Sequence, residues 1–142
     1  MYCLDANIWV YYFDSELDEH ERVAHHIDTI LGREPLFLPA VVAMEVVHYL
    51  SNQIVRSEPL VETFLHLDGT TTAPLTVADV RRASALLETH GNTGIGGRDV
   101  AILATMQRHA VSTLWTHDGA LVAVAESLDW LDVVDPVVDD VA

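Results

Sequence analysis

At 142 residues, half of them hydrophobic, the chain has the length for one domain with a real core, and no apolar run approaches the roughly 20 residues that cross a membrane. Its single cysteine, Cys3, excludes an internal disulfide, and the N-terminus has no basic stretch followed by an apolar one, so no secretory leader and a cytoplasmic location are expected. Twenty-two acids against seven basic residues, all Arg, give a formal charge of −15, which at face value argues against a nucleic-acid partner.

Tyr2-Cys3-Leu4 reads as a short buried strand, with Cys3 as a core residue. Asp5 follows at once, where open α/β sheets place their ligand crevice. Ile8 to Phe13 is apolar and aromatic and predicts a short helix. Its Trp9, Tyr11, Tyr12 and Phe13 serve either core packing or a contact surface. Asp18 is the expected N-cap of the next helix, in which Val23, Ile27, Ile30 and Leu31 fall at helical spacing and which Gly32 ends. Leu36-Phe37-Leu38, closed by Pro39, reads as the second strand.

Ala40 to about Ile54 predicts a strongly apolar helix in which Glu45 is the only formal charge between Glu34 and Arg56. Ser57 is expected to cap a helix with Leu60, Val61, Phe64 and Leu65 on one face, and Thr70 to Pro74 is a short strand or connector. Thr76 and Asp79 have capping-box spacing, with Asp in place of the usual Glu or Gln, ahead of a helix through Val80, Ala83 and Leu87 to His90. The glycine-rich stretch from Gly91 to Gly97 is the most flexible segment. Arg98-Asp99 opens an apolar helix from Val100 to Met106, Ser112 to Trp115 is a strand, and Thr116-His117-Asp118-Gly119 follows. A helix from about Ala120 to Glu126 and a strand near Leu131 to Val134 complete the domain, taken as residues 1–135, with an acidic tail over 136–142. Alternating strands and helices predict a three-layer α/β/α domain on a mostly parallel sheet.

The acidity has a second explanation. At about 1 M salt the Debye length is only about 3 Å, so self-repulsion among surface acids is screened. A high-salt cytoplasm is therefore expected, and the charge then reports the solvent and says little of the partner.

Four acids stand in apolar settings: Asp5, Glu45, Asp99 and Asp118. Each has an ordinary reading. Asp5 is a turn or cap residue, Glu45 lies on a helix face that reaches water, Asp99 is a first-turn acid, and Asp118 is a loop residue beside Gly119. Together they suggest one site at an edge of the sheet. An unpaired buried carboxylate costs several kcal/mol or titrates to neutral. Several carboxylates meeting without bases repel one another, and a divalent cation resolves the repulsion. Oxygen ligands without clustered Cys or His select Mg²⁺ or Mn²⁺, ions that activate water in phosphodiester hydrolysis.

In these residues the chain resembles the PIN-domain ribonucleases, and within them the VapC-type toxins. The match is carried by Leu4-Asp5-Ala6-Asn7, Leu38-Pro39-Ala40 through Met44-Glu45-Val46, Arg98-Asp99 through Thr105, and Leu114-Trp115-Thr116-His117-Asp118, in order, spacing and total length. No single motif is specific; the ordered set of four is. The resemblance implies a metal-dependent endoribonuclease with Asp5, Glu45, Asp99 and Asp118 holding Mg²⁺ or Mn²⁺, supported by Asn7 and Thr116. It also implies a homodimer held inactive by a small antitoxin protein, with RNA as substrate. Many relatives carry an aromatic three residues after the fourth acid, where this chain has Leu121. Arg98, Arg81 and Arg82 are the candidates for RNA-backbone contact, unless they are plain surface arginines.

Other motifs fall away. His20-Glu21 with His25 and His26 lacks the i, i+4 spacing of a zinc-protease helix, and the glycines at 91, 94, 96 and 97 lack the Gly-Lys-Ser/Thr of a phosphate loop. The absence of Lys argues against a phosphoacceptor receiver domain and a haloacid-dehalogenase-type phosphatase. His117 is a loop residue or an aid to proton transfer. Two rival functions stay open: a PIN-domain nuclease of RNA processing without an antitoxin, and a catalytically silent RNA-binding or interaction module. A DNA or flap nuclease would need room for a DNA-gripping region.

Overall fold

The computed structural model describes residues 1–140. Its strands β1 (Tyr2–Leu4), β2 (Leu36–Pro39), β3 (Thr70–Ala73), β4 (Thr113–Trp115) and β5 (Asp132–Val134) form one sheet in the order β3-β2-β1-β4-β5. All four pairings are parallel, with Cys3 opposite Phe37 on one side and Leu114 on the other. Cys3, Leu4 and every residue of β2 are buried, as a parallel sheet covered by helices on both faces requires. The three-layer α/β/α architecture is the one that the alternating pattern predicts.

The connections are α1 (Ala6–Phe13), α2 (His20–Ile30), α3 (Ala40–Gln53), α4 (Glu58–Leu65), α5 (Val77–His90), α6 (Gly97–Arg108) and α7 (Gly119–Ala125), with one short 3-10 turn over Gly91–Thr93. None is long and apolar enough to cross a membrane. The α6 helix is buried without interruption from Asp99 to Met106, so its apolar run reflects a central position. Trp9 of α1 is buried, stacks on Phe13 at 5.9 Å and meets Phe64 of α4 edge-on at 5.1 Å. The aromatic run thus serves the core through Trp9, while Tyr11, Tyr12 and Phe13 are half-buried.

Local chemistry explains several boundaries. The box at the start of α5 forms in full: Asp79 N donates to Thr76 Oγ1 at 3.2 Å and Thr76 N donates to Asp79 Oδ2 at 2.9 Å. Asp18 does not cap α2, because the helix starts at His20, whose amide goes to Leu17 O, and no side chain caps it. Ser57 stands at the N-cap of α4 without a side-chain cap bond. Leu65 and Val80, expected on apolar faces, are largely exposed, since helical spacing alone does not say which face meets the core. The glycine-rich stretch is partly ordered by the 3-10 turn and by Ile95, which is buried, with Gly94 alone in the left-handed region.

Beyond β5 the chain turns back, and Arg22 of α2 donates to Val138 O, Asp139 O and Asp140 Oδ1. Residues 141–142 of the acidic tail lie outside the described residues. In the sheet, the strand order reverses direction between β1 and β4. Such a switch point opens a crevice at the C-terminal ends of these two strands.

Candidate active site

Asp5 leaves β1 and becomes the N-cap of α1. It is fully buried, its amide donates to Trp115 O of β4 at 2.9 Å, and its Oδ1 accepts from Ala6 N at 2.7 Å. Asp118, three residues beyond β4, caps α7 in the same way, Oδ1 accepting from Ala120 N at 2.8 Å and Leu121 N at 3.3 Å. Asp99 stands at the third position of α6, and its Oδ2 accepts from Gly96 N at 3.3 Å, half of a capping box that glycine cannot return. Three helix N-termini therefore hold three carboxylates, where the positive ends of their dipoles favour negative charge. Glu45 projects from the second turn of α3, half-buried, with no backbone amide to hold it.

Each aspartate commits oxygen to its own helix and turns oxygen toward a shared centre. That centre holds the Arg98 guanidinium. Its Nη1 donates to Asp5 Oδ1 at 3.2 Å and to Glu45 Oε2 at 2.5 Å, and its Nη2 donates to Asp99 Oδ1 at 2.9 Å and lies 3.8 Å from Asp118 Oδ2. Burial works against the guanidinium charge, but Asp5, Glu45 and Asp99 outweigh it and raise the pKa of Arg98. Burial also pushes Asp99 above the usual carboxylate range, with Asp118 and Asp5 adding to the shift against the opposing pull of the Gly96 amide and Arg98. Four acids and one guanidinium leave three formal negative charges in excess.

Thr116, fully buried, links two of the acids: its Oγ1 donates to Asp5 Oδ2 at 2.7 Å and accepts from Asp118 N at 3.0 Å. Asn7 is half-buried, and its Oδ1 is buried without a partner. It lines a groove of about 480 Å³ beside the acids, together with Tyr11, Leu17, Tyr49, Glu45 and Arg98. The Tyr49 hydroxyl donates to Asp14 Oδ2 at 2.6 Å, and this bond, with burial, pushes its pKa up to about 12. Sequence reasoning missed Tyr49 as a groove residue; its position four residues after Glu45, on the same helix face, was the available signal. A larger cleft of about 730 Å³ over Ser51–Pro59 carries none of the four acids.

Of the three arginines singled out in the sequence, only Arg98 reaches the cluster. Arg81 and Arg82 are exposed on α5 and make no ion pair with the four acids. His117 Nδ1 lies 2.8 Å from Asp135 Oδ2 and has no hydrogen bond to any of the four acids. Leu121, in place of an aromatic, is fully buried, and the chain accommodates it as packing.

The donor set suits a hard divalent cation: carboxylate oxygens from four elements, a negative excess, and an orphaned amide oxygen nearby. As the side chains stand, no three Asp, Glu, His or Cys among the described residues close on one point tightly enough to hold an ion. Mg²⁺ requires oxygens at about 2.0–2.1 Å, and a guanidinium keeps them further apart. In the chemistry of their donors the residues fit such an ion.

The PIN domain sequence profile matches residues 2–127. No curated protein matches the chain. Among solved structures, the chain is similar to the Mycobacterium tuberculosis VapC20, described as a sarcin–ricin-loop-cleaving toxin, with a TM-score of 0.75 at 13% identity over 87% of this chain and 95% of that one. It is also similar to FitAcB from Neisseria gonorrhoeae, with a TM-score of 0.68 at 22% identity over 96% and 98% of the two chains. A toxin–antitoxin complex from Klebsiella pneumoniae gives a TM-score of 0.68 at 20% identity, again over 96% and 98%.

Proposed function

The chain belongs to the PIN-domain family, and from that premise we propose that it is a Mg²⁺- or Mn²⁺-dependent endoribonuclease, the toxin of a toxin–antitoxin pair. One observation carries the reading: Asp5, Glu45, Asp99 and Asp118 come from four separate elements and turn oxygens toward one centre at the C-terminal ends of β1 and β4. A toxin that cleaves RNA and a toxin–antitoxin complex among its structural neighbours support the choice of substrate and partner.

In this reading the four acids hold the cation, which supplies an activated water and charge stabilisation at the phosphate. The chain's own residues do the positioning. Thr116 fixes the oxygen direction of Asp5 and, through the Asp118 amide, ties β4 to it. Asp5, Asp99 and Asp118 are pinned by helix amides, so few side-chain rotamers are lost when a ligand enters. The groove past Asn7, Tyr11 and Tyr49 gives an RNA strand an approach to the acids. A second copy of the chain and a small antitoxin are the protein partners, and a salt-rich cytoplasm is the setting.

RNA cleavage by the purified protein in molar KCl, with Mn²⁺, with Mg²⁺ and with EDTA, tests the reading, with Glu45→Gln as control. Metal-dependent cutting that Glu45→Gln lacks is the expected result. Equal cutting by both proteins, or none by either on tRNA and rRNA substrates, overturns it.

A further inference from the structure

Arg98 stands at the second position of α6, where the helix dipole disfavours positive charge and where acids are the usual occupants. Its side chain turns away from that helix end and takes the oxygens of Asp5, Glu45 and Asp99, within 3.8 Å of Asp118. We propose that Arg98 is a built-in counter-ion that holds the cation-free site in a latent form, and that a divalent cation must displace it to assemble the working site. This rests on the reading of the four acids as a cation site.

The geometry makes the two occupants exclusive. Asp5 Oδ2 is committed to Thr116, Asp99 Oδ2 to Gly96 N and Asp118 Oδ1 to the α7 amides. The oxygens still directed at the centre are the ones that Arg98 faces. An ion entering there needs the same lone pairs and repels the guanidinium at close range. Without any cation the four acids would repel one another, so the guanidinium stabilises the empty site and lowers its affinity for metal in proportion.

Displacement has a direction. The Arg98 side chain is about one-third exposed and lines the groove beside Asn7 and Tyr49. A guanidinium released there faces the groove with free donors, a partner for an RNA phosphate. Metal entry and RNA binding are thereby coupled through one side chain, and the coupling is reciprocal.

The test is Mn²⁺ binding, followed by electron paramagnetic resonance, to the full-length wild type, Arg98→Gln and Arg98→Lys. About ten-fold tighter binding by Arg98→Gln is expected, with Arg98→Lys between. Equal or weaker binding by Arg98→Gln overturns the proposal and leaves the cation site intact. No Mn²⁺ binding by any of the three overturns the cation site and the proposal with it. Should Arg98→Gln fail to fold, the wild type decides alone. The Arg98 Nη–H signals, whose protons go to Asp5, Glu45 and Asp99, are expected to be protected from water exchange in EDTA and to lose that protection as Mg²⁺ saturates. Protection unchanged at saturation overturns the proposal.

Discussion

The Thr116 hydroxyl donates to the fully buried Asp5 carboxylate at 2.7 Å, across the junction of β4 and β1. Thr116→Val keeps the shape and removes the bond, leaving a buried carboxylate oxygen without a partner. We expect a stability loss of about 1–3 kcal/mol in urea unfolding and a fall of about 10–100-fold in RNA cleavage. Thr116→Ser should recover most of both. A variant as active and as stable as the wild type would show that Asp5 is held by its helix alone.

Asp79 carries the clearest pH signal outside the site. Hydrogen bonds from Arg108 at 2.7 and 3.0 Å, with those from Thr76, hold its pKa at about 2 against an ordinary 3.8. A carboxylate depressed in the folded state contributes stability that is present above its unfolded value and is lost as pH falls through its folded one. The wild type should therefore lose this contribution between pH 4 and pH 2. Asp79→Asn should be less stable by about 1–3 kcal/mol at neutral pH, with the gap closing toward pH 2, as read by chemical denaturation across the range. A gap that persists unchanged at pH 2 would assign the effect to packing.

Phe64 is fully buried between Trp9 and Phe13, at 5.1 and 5.7 Å, and ties α4 to α1. Phe64→Ala should cost about 3–5 kcal/mol, measured by urea unfolding in molar KCl. A loss below about 1 kcal/mol would mean that α4 is docked by other contacts.

The formal charge of −15 makes a prediction about solvent. Raising KCl from about 0.1 M to about 1 M shortens the Debye length from about 10 Å to about 3 Å. The melting temperature should rise steeply over that range. A flat melting curve from dilute buffer to molar salt would remove the high-salt explanation of the acidity.

Much of this architecture was written in the order of residue types. The buried runs Tyr2–Leu4, Leu36–Pro39 and Thr113–Trp115 are short, apolar and bounded by turn residues, so their strands could be read directly. The four acids stood out because each breaks an apolar stretch. The place of Arg98 was not legible. Its sign suggested an anion partner, and a linear pattern does not show that four carboxylates from distant segments surround it. Helix faces failed for a related reason. Val80 has the spacing of a core residue, but α5 packs chiefly against α6; Ala83 is buried and Leu86 and Leu87 are half-buried against the core, while Val77 and Val80 face water. The start of α2 was missed because a backbone carbonyl at Leu17 did the work that Asp18 was expected to do.

The strand order has a consequence for how the protein is made. β1 lies at the centre of the sheet, with β2 on one side and β4 on the other, so it waits for one of its two neighbours, more than a hundred residues further along the chain. Asp5 is made 111 residues before the Thr116 that bonds it, and Asp118 follows Thr116. A nascent chain, or one cut short before β4, carries Asp5 with its α1 cap but without the Thr116 hydroxyl and the Trp115 carbonyl that complete its setting. Topology alone thus leaves the acid cluster unassembled until β4 and the turn after it have been made.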